Sequence, residues 1–127
     1  MRAVDTDVLI RLVTRDDARQ TAAAERFVAN GAWVSPVTLA EAVRVLDSVY
    51  EVTPGRQAEM IAMLLEHRQL VLHYHDAVTR AVELFRAKPA LGFSDCLMLE
   101  MARSAGHLPF GTFDRNLGKV EGAQTII

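Results

Sequence analysis

Two acidic residues stand where ordinary packing does not ask for them, Asp95 in GFSDCLMLEMARSAGH and Asp114 in TFDRNL, and two more, Asp5 in VDTDVLIRL and Glu41 in TLAEAVRVL, are placed to join them. Asp95 projects onto the edge of an apolar helical stripe, where a carboxylate must be neutralised, capped or paired with a cation. Three or four carboxylates at one edge would repel one another strongly unless protonated or bound to a cation. Oxygen-only ligation favours Mg²⁺ or Mn²⁺ over zinc, with several waters retained. A divalent ion held this way can activate water and steady the charge of a phosphodiester under attack. The residue types therefore point to metal-assisted phosphoryl chemistry.

The elements around these acids follow from pattern and punctuation. Arg2 to Val4 read as a short strand ending at Asp5, and a helix starts from Asp7 with Val8, Leu9, Leu12 and Val13 on one face. Asp16 to Asn30 form a second helix, stopped by Asn30-Gly31. Ala32-Trp33-Val34 is a brief strand, and Ser35-Pro36 supplies an N-cap and a first-turn proline. The helix that follows runs to Tyr50 with Leu39, Val43, Leu46, Val49 and Tyr50 inward, and places Glu41 in its second turn. Thr53-Pro54 opens another helix to His67, Leu70–Leu72 is a third strand, and Asp76 to Arg86 a further helix before the Lys88-Pro89 break. Between an N-cap at Ser94 and a stop at Gly106, the residues Leu97, Met98, Met101, Ala102 and Ala105 share a buried stripe. Glu100, Arg103 and Ser104 fall on the opposite, wet face. Pro109–Phe113 is a strand ended by Asp114, and Ala123 to Ile127 the last strand.

Strands alternating with helices imply an α/β/α sandwich around a mostly parallel central sheet. Ligands of such sheets collect at the carboxyl ends of the strands. Asp5 and Asp114 lie at such ends, and Glu41 and Asp95 lie in early turns of helices. All four could meet over one edge.

The whole chain sets the bounds. At 127 residues it reads as one domain, 1–127, long enough to bury a core. Half the residues are hydrophobic and 24% are charged, which excludes a disordered chain. The net charge of −2 gives no global attraction to nucleic acid, so any such binding rests on a local basic patch. A single cysteine, Cys96, forms no intrachain disulfide and fits a reducing cytoplasm. No apolar run is long enough to span a bilayer, and no signal peptide precedes the first strand. A soluble, cytoplasmic protein is the expectation.

The acidic motifs, in this order and with these flanking residues, resemble those of PIN-domain ribonucleases, and most closely the VapC-type toxins of bacterial toxin–antitoxin pairs. The resemblance covers nearly the full length. It implies that Asp5, Glu41 and Asp95 form a metal-binding core with Asp114 as the fourth acid. Thr112 and Asn116 flank that acid as polar supports. Asp7 stands where the family often has Asn or Ser, as an extra acid near the metal or as a helix cap. The implied activity is a Mg²⁺- or Mn²⁺-dependent endoribonuclease. The implied partners are an RNA substrate, a cognate antitoxin and a second copy of the chain. Arg11, Arg15, Arg44, Arg115 and Lys119 lie near the motifs and could hold an RNA backbone, without base specificity.

Plainer readings compete at each position. Asp5 could cap the first helix; Glu41 shares a polar helix face with Arg44 and Ser48; Asp95 could support Ser94 as a cap. Asp114 could be a turn former. His73 and His75 alternate on one strand face without a third ligand. Cys96 reads as an inert thiol, and Met60, Met63, Met98 and Met101 as core. Two other function classes remain. Val4-Asp5-Thr6-Asp7-Val8 fits the first motif of haloacid-dehalogenase-type phosphatases, although no later lysine or paired-acid motif follows convincingly. A catalytically silent PIN module that only binds a partner is the other.

Overall fold

The computed structural model describes residues 1–127. The chain order is β1 (Arg2–Ala3), α1 (Thr6–Thr14), α2 (Ala18–Val28), β2 (Ala32–Val34), α3 (Pro36–Ser48), α4 (Pro54–Glu66), β3 (Leu70–Leu72), α5 (His75–Ala87), α6 (Phe93–Ser104), β4 (Phe110–Thr112) and β5 (Ala123–Thr125). One-turn 3₁₀ helices at Pro89–Leu91 and Leu117–Lys119 complete it. This is the mixed α/β class that the alternating pattern implies. Every strand pair is parallel, and the strands form a three-stranded sheet, β1-β2-β3, and a two-stranded one, β4-β5. The chain divides into two compact units, Met1–His75 and Asp76–Ile127.

In the first unit the core lies between the parallel sheet and the helices that cross between its strands. Alternation in β2 and β3 sends Ala32, Val34, Leu70 and Leu72 inward, and leaves Trp33 and Val71, paired in register, outside. α1 packs on α2, α3 and α4. Its buried set is Leu9, Ile10, Leu12 and Val13, so Ile10 takes the place expected for Val8. α2 begins at Asp17, whose side chain accepts from the Gln20 amide, and not at Asp16, whose carboxylate is held by Thr14 and Arg11. α3 starts as its sequence dictates: Ser35 Oγ accepts from the Thr38 amide at 3.0 Å and Pro36 fills the first turn. It buries Leu39, Ala42, Val43 and Leu46 and ends at Ser48, which leaves Val49 exposed rather than inward. Gln57 of α4 is buried but fully engaged, donating to Asp47 Oδ1 and the Val52 carbonyl, both at 2.8 Å. β3 is too short to include His73 or His75: the His73 ring lies beside Trp33 and Tyr74, and His75 opens α5.

In the second unit α5 and α6 run antiparallel, joined at one end by the edge-on Phe85 and Phe93 rings and at the other by Arg80, which donates to Ser104 Oγ. α6 departs from the sequence expectation in two ways. Its N-cap is Gly92, with φ of +79° and no side-chain cap, so Ser94 lies inside the first turn. Its buried residues are Phe93, Cys96, Leu97, Leu99 and Glu100, while Met98 is 48% exposed. The stripe is therefore rotated from the one drawn through Met98, Met101, Ala102 and Ala105, because Phe93 and Leu99 carry more apolar surface than the small residues favoured there. Of the methionines read as core, Met60 is buried and Met63 and Met98 are not. The stop at Gly106 holds, with φ of +80° just past the end of α6. In the turn after β4, a Cβ on Gly118 would lie 1.8 Å from Thr125 Oγ1 and 3.0 Å from its Cβ, so a larger residue there would force the Thr125 side chain to shift.

Candidate functional site

Each acid is placed by its element. Asp5 is exposed, follows β1 at the carboxyl edge of its sheet, and caps α1 by accepting from the Thr6 amide at 2.6 Å. Asp7 is therefore not the cap; it is an exposed residue of the first turn. Glu41 lies in the second turn of α3, beyond the end of the neighbouring strand β2, so it shares that carboxyl edge with Asp5. Its carboxylate is held by Arg44 of the same helix, which donates through both Nε and Nη2. Those hydrogen bonds and the charge of Arg44 lower the Glu41 pKa.

The second unit is arranged differently. Asp95 lies in the first turn of α6, half-buried, and its carboxylate has no hydrogen-bond or ion-pair partner. Burial raises its pKa, and the negative charge of Asp114 raises it further. Asp114 follows β4 and is itself tightly oriented. Its Oδ1 accepts from the Asn116 amide at 2.8 Å and the Leu117 amide at 2.9 Å, and its own amide donates to Thr112 Oγ1 at 3.0 Å. Thr112 and Asn116 both hold Asp114, Thr112 through its hydroxyl and Asn116 through its backbone amide. One oxygen of Asp114 is committed to the turn and the other is without a protein partner. The turn-former and metal-ligand readings of this residue are compatible, since one carboxylate serves both.

The cations divide in the same way. Arg11 bonds Gln20, Asp16 and Tyr50; Arg15 pairs with Glu25; and Arg44 pairs with Glu41. Arg115 and Lys119 are exposed and make no ion pair within the protein. Lys119 lines a cavity of about 420 Å³ together with Lys88, Pro89, Ala90, Leu91 and Asn116. No motif in the sequence marks Lys88; the signal available there is that it and Lys119 are the chain's only lysines.

Glu100, placed by sequence on the wet face, is buried. It accepts from Arg103 Nε at 3.1 Å and lies 3.5 Å from Arg80 Nε. Arg103 also donates to the Glu121 carbonyl, which ties α6 to the segment entering β5. Cys96 is fully buried and its thiol is pushed up to about 12, chiefly by burial, so it is inert as expected.

Comparison with protein families gives one match, to the PIN domain, over residues 2–123. The chain belongs to the PIN-domain family. Neither the comparison with curated proteins nor that with solved structures gives a match. PIN domains are generally nucleases, so the family identifies a hydrolase-type activity, and they usually use divalent metal ions. No helix is long and apolar enough to cross a membrane. Within this PIN domain no three His, Cys, Asp or Glu side chains gather into a metal-holding group. The Asp95–Asp114 pair nevertheless suits a hard divalent cation. It offers oxygen donors only, one carboxylate is unpartnered, and their repulsion is of the kind a cation relieves. Two carboxylates with the remaining positions filled by water is an ordinary protein contribution for Mg²⁺.

Proposed function

We propose that this PIN domain, a single domain over residues 1–127, is a Mg²⁺- or Mn²⁺-dependent endoribonuclease, the toxin half of a VapBC-type toxin–antitoxin pair. The observation that supports the reading best is the half-buried Asp95 carboxylate, left without a cation beside Asp114. Asp95 and Asp114 would hold the metal; Asp5 and Glu41 are the further acids that the family resemblance proposes for catalysis. A divalent cation bound there supplies an activated water and neutralises charge on the scissile phosphodiester. Asp114 is oriented for this by Thr112 and by the Asn116 and Leu117 amides. Glu41, held by Arg44 through Nε and Nη2, would be free to serve as a ligand only where that pair opens. Arg115 and Lys119 would contact the RNA backbone and read no base. The proposed partners are a cognate antitoxin that covers the acidic groove and a second copy of the chain, in the cytoplasm.

The test is to map RNA ends in cells after induced expression of the wild type and of Asp95→Asn. New ends at defined positions with the wild type, absent with the variant, support the reading. RNA binding without any new ends would make the protein a silent PIN module.

A further inference from the structure

Both lysines of the chain line one cavity. All its other Lys/Arg cations are arginines. Lys88 enters from the end of α5 and Lys119 from the one-turn helix after β4, with Asn116 beside it and Pro89, Ala90 and Leu91 as the apolar wall. Neither ammonium has an acidic partner within the protein, so both are available to an anion in the cavity. Two unpaired cations on one concave surface attract an anion and hold it as point charges, without the planar fork by which arginine selects geometry. Asn116 in the same lining offers neutral hydrogen bonding.

The position of the cavity identifies the anion. Its two walls are the segments that carry the acids. Asn116 is two residues beyond Asp114, and Leu91 is four residues before Asp95. At roughly 3.5 Å per residue at most, Asn116 lies within about 7 Å of chain from Asp114. The cavity is therefore built from the same two chain segments that carry the carboxylates, with Asp114 the nearer of the two along the chain. An acidic peptide placed there would meet Asp95 and Asp114 with its own carboxylates, whereas a polynucleotide has one phosphate per residue to give to the lysines and the next to the cleavage site.

We infer that the Lys88–Lys119 cavity is a phosphate subsite, which holds the RNA backbone about one nucleotide from the bond that is cut. The inference rests on the nuclease reading above and assigns substrate contact to Lys88, Asn116 and Lys119. It gives the chain a local basic site that its net charge of −2 does not disclose. It also separates tasks: the acids act on the reacting phosphate, and the lysines fix its neighbour.

Because these are the only lysines, amine acetylation read by peptide mass spectrometry reports on this cavity directly. The probe is a twelve-nucleotide single-stranded RNA added in chelator, with polyglutamate of equal charge as the competitor class. The expected result is protection of both Lys88 and Lys119 by RNA, reversed by salt, with little protection by polyglutamate. Unprotected lysines, or better protection by polyglutamate, would overturn the inference; the latter would assign the cavity to an acidic protein. The kinetic counterpart is the double variant Lys88→Gln/Lys119→Gln. It should raise KM for RNA roughly tenfold, as for loss of charge-assisted contacts, with kcat nearly unchanged. Its salt dependence should fall by about 0.7 in logarithmic slope, the value for one single-strand phosphate contact. The exposed, distant-in-sequence Arg68→Gln should do neither. Cleavage by the wild type with both lysines reactive would refute the subsite and leave the nuclease standing. Protected lysines without cleavage under any metal condition would refute the nuclease reading instead.

Discussion

The two units treat charge in opposite ways. In Met1–His75 the acids and arginines near the motifs are largely satisfied by one another: Glu41 by Arg44, Asp16 by Arg11, Glu25 by Arg15, and Asp5 by the amide it caps. In Asp76–Ile127 the one buried acid, Glu100, is doubly paired, but Asp95, Lys88, Arg115 and Lys119 are left unpaired. A folded chain gains by pairing charges wherever geometry allows. Charges without an ion-pair partner occur in both units, Asp7, Arg19 and Arg68 in the first among them; what sets Asp95 apart is that it is half-buried as well. The difference teaches that a motif acid is better judged by what holds it than by its sequence position.

Asp95→Asn should produce the largest effect. It keeps the side-chain shape, removes the unpaired charge, and should lower RNA cleavage roughly 100-fold or more, as for loss of a group that stabilises transition-state charge. Its melting temperature in chelator should equal or exceed that of the wild type, because the charge it removes is opposed by burial and by Asp114. A variant that melts well below wild type would turn Asp95 into a structural residue and erase the contrast between the units.

Thr112→Val removes the hydroxyl that accepts from the Asp114 amide but leaves both carboxylates. It should weaken metal activation by roughly tenfold, the lower range for groups that orient a ligand. Activation curves against Mn²⁺ for this variant and wild type make the comparison; superimposable curves would show that the turn needs no such support.

Glu100→Ala sharpens the contrast within one helix. It should cost about 1–3 kcal/mol by urea unfolding, since it strips Arg103 of its acceptor and Arg80 of its ion-pair partner. The activity per folded molecule should fall far less than in Asp95→Asn. A stability change near zero would mean that Glu100 is not held as described.

The smallest effects are the pH slopes, and they have opposite signs. Asp95 has a raised folded pKa, so protonating it favours the fold. That contribution is complete below the ordinary value of 3.8 and is lost as pH rises through the raised one. Glu41 has a lowered pKa, so its contribution is present above the ordinary value of 4.5 and is lost as pH falls through the lowered one. In metal-free protein, Asp95→Asn should therefore relieve destabilisation at neutral pH, whereas Glu41→Gln should remove stability there. Melting curves from pH 3 to 7 read both; slopes of the same sign in the two variants would contradict the assignment of partners.

Local signals make much of the fold legible in the sequence. Ser35-Pro36 and Thr53-Pro54 each act as a cap followed by a first-turn proline, signals that lie within one turn and do not depend on tertiary contacts. β2 and β3 are equally plain, because three apolar residues between turn formers leave few alternatives. The rotation of α6 is not legible. Its hydrophobic periodicity is weak at every phase, and the choice is made by Phe93 against Phe85 and by two arginines that make burial of Glu100 tolerable. Asp95 stands out even with the wrong helix phase, because motif order does not depend on phase. The Glu41–Arg44 pair is visible as i,i+3 spacing, yet spacing does not say whether such a pair closes. That Lys88 and Lys119 share one cavity is not legible in the sequence, because the two lie 31 positions apart (119 − 88) and are brought together only by the fold.

The most direct test of the account is the rate of single-stranded RNA cleavage by metal-stripped protein as Mn²⁺ is added back, measured for wild type and Asp95→Asn side by side. The account predicts no cleavage by either in chelator, saturable activation of the wild type, and none of the variant at the same Mn²⁺ concentrations. Full wild-type activity in chelator, or equal activation of the two proteins, would contradict it.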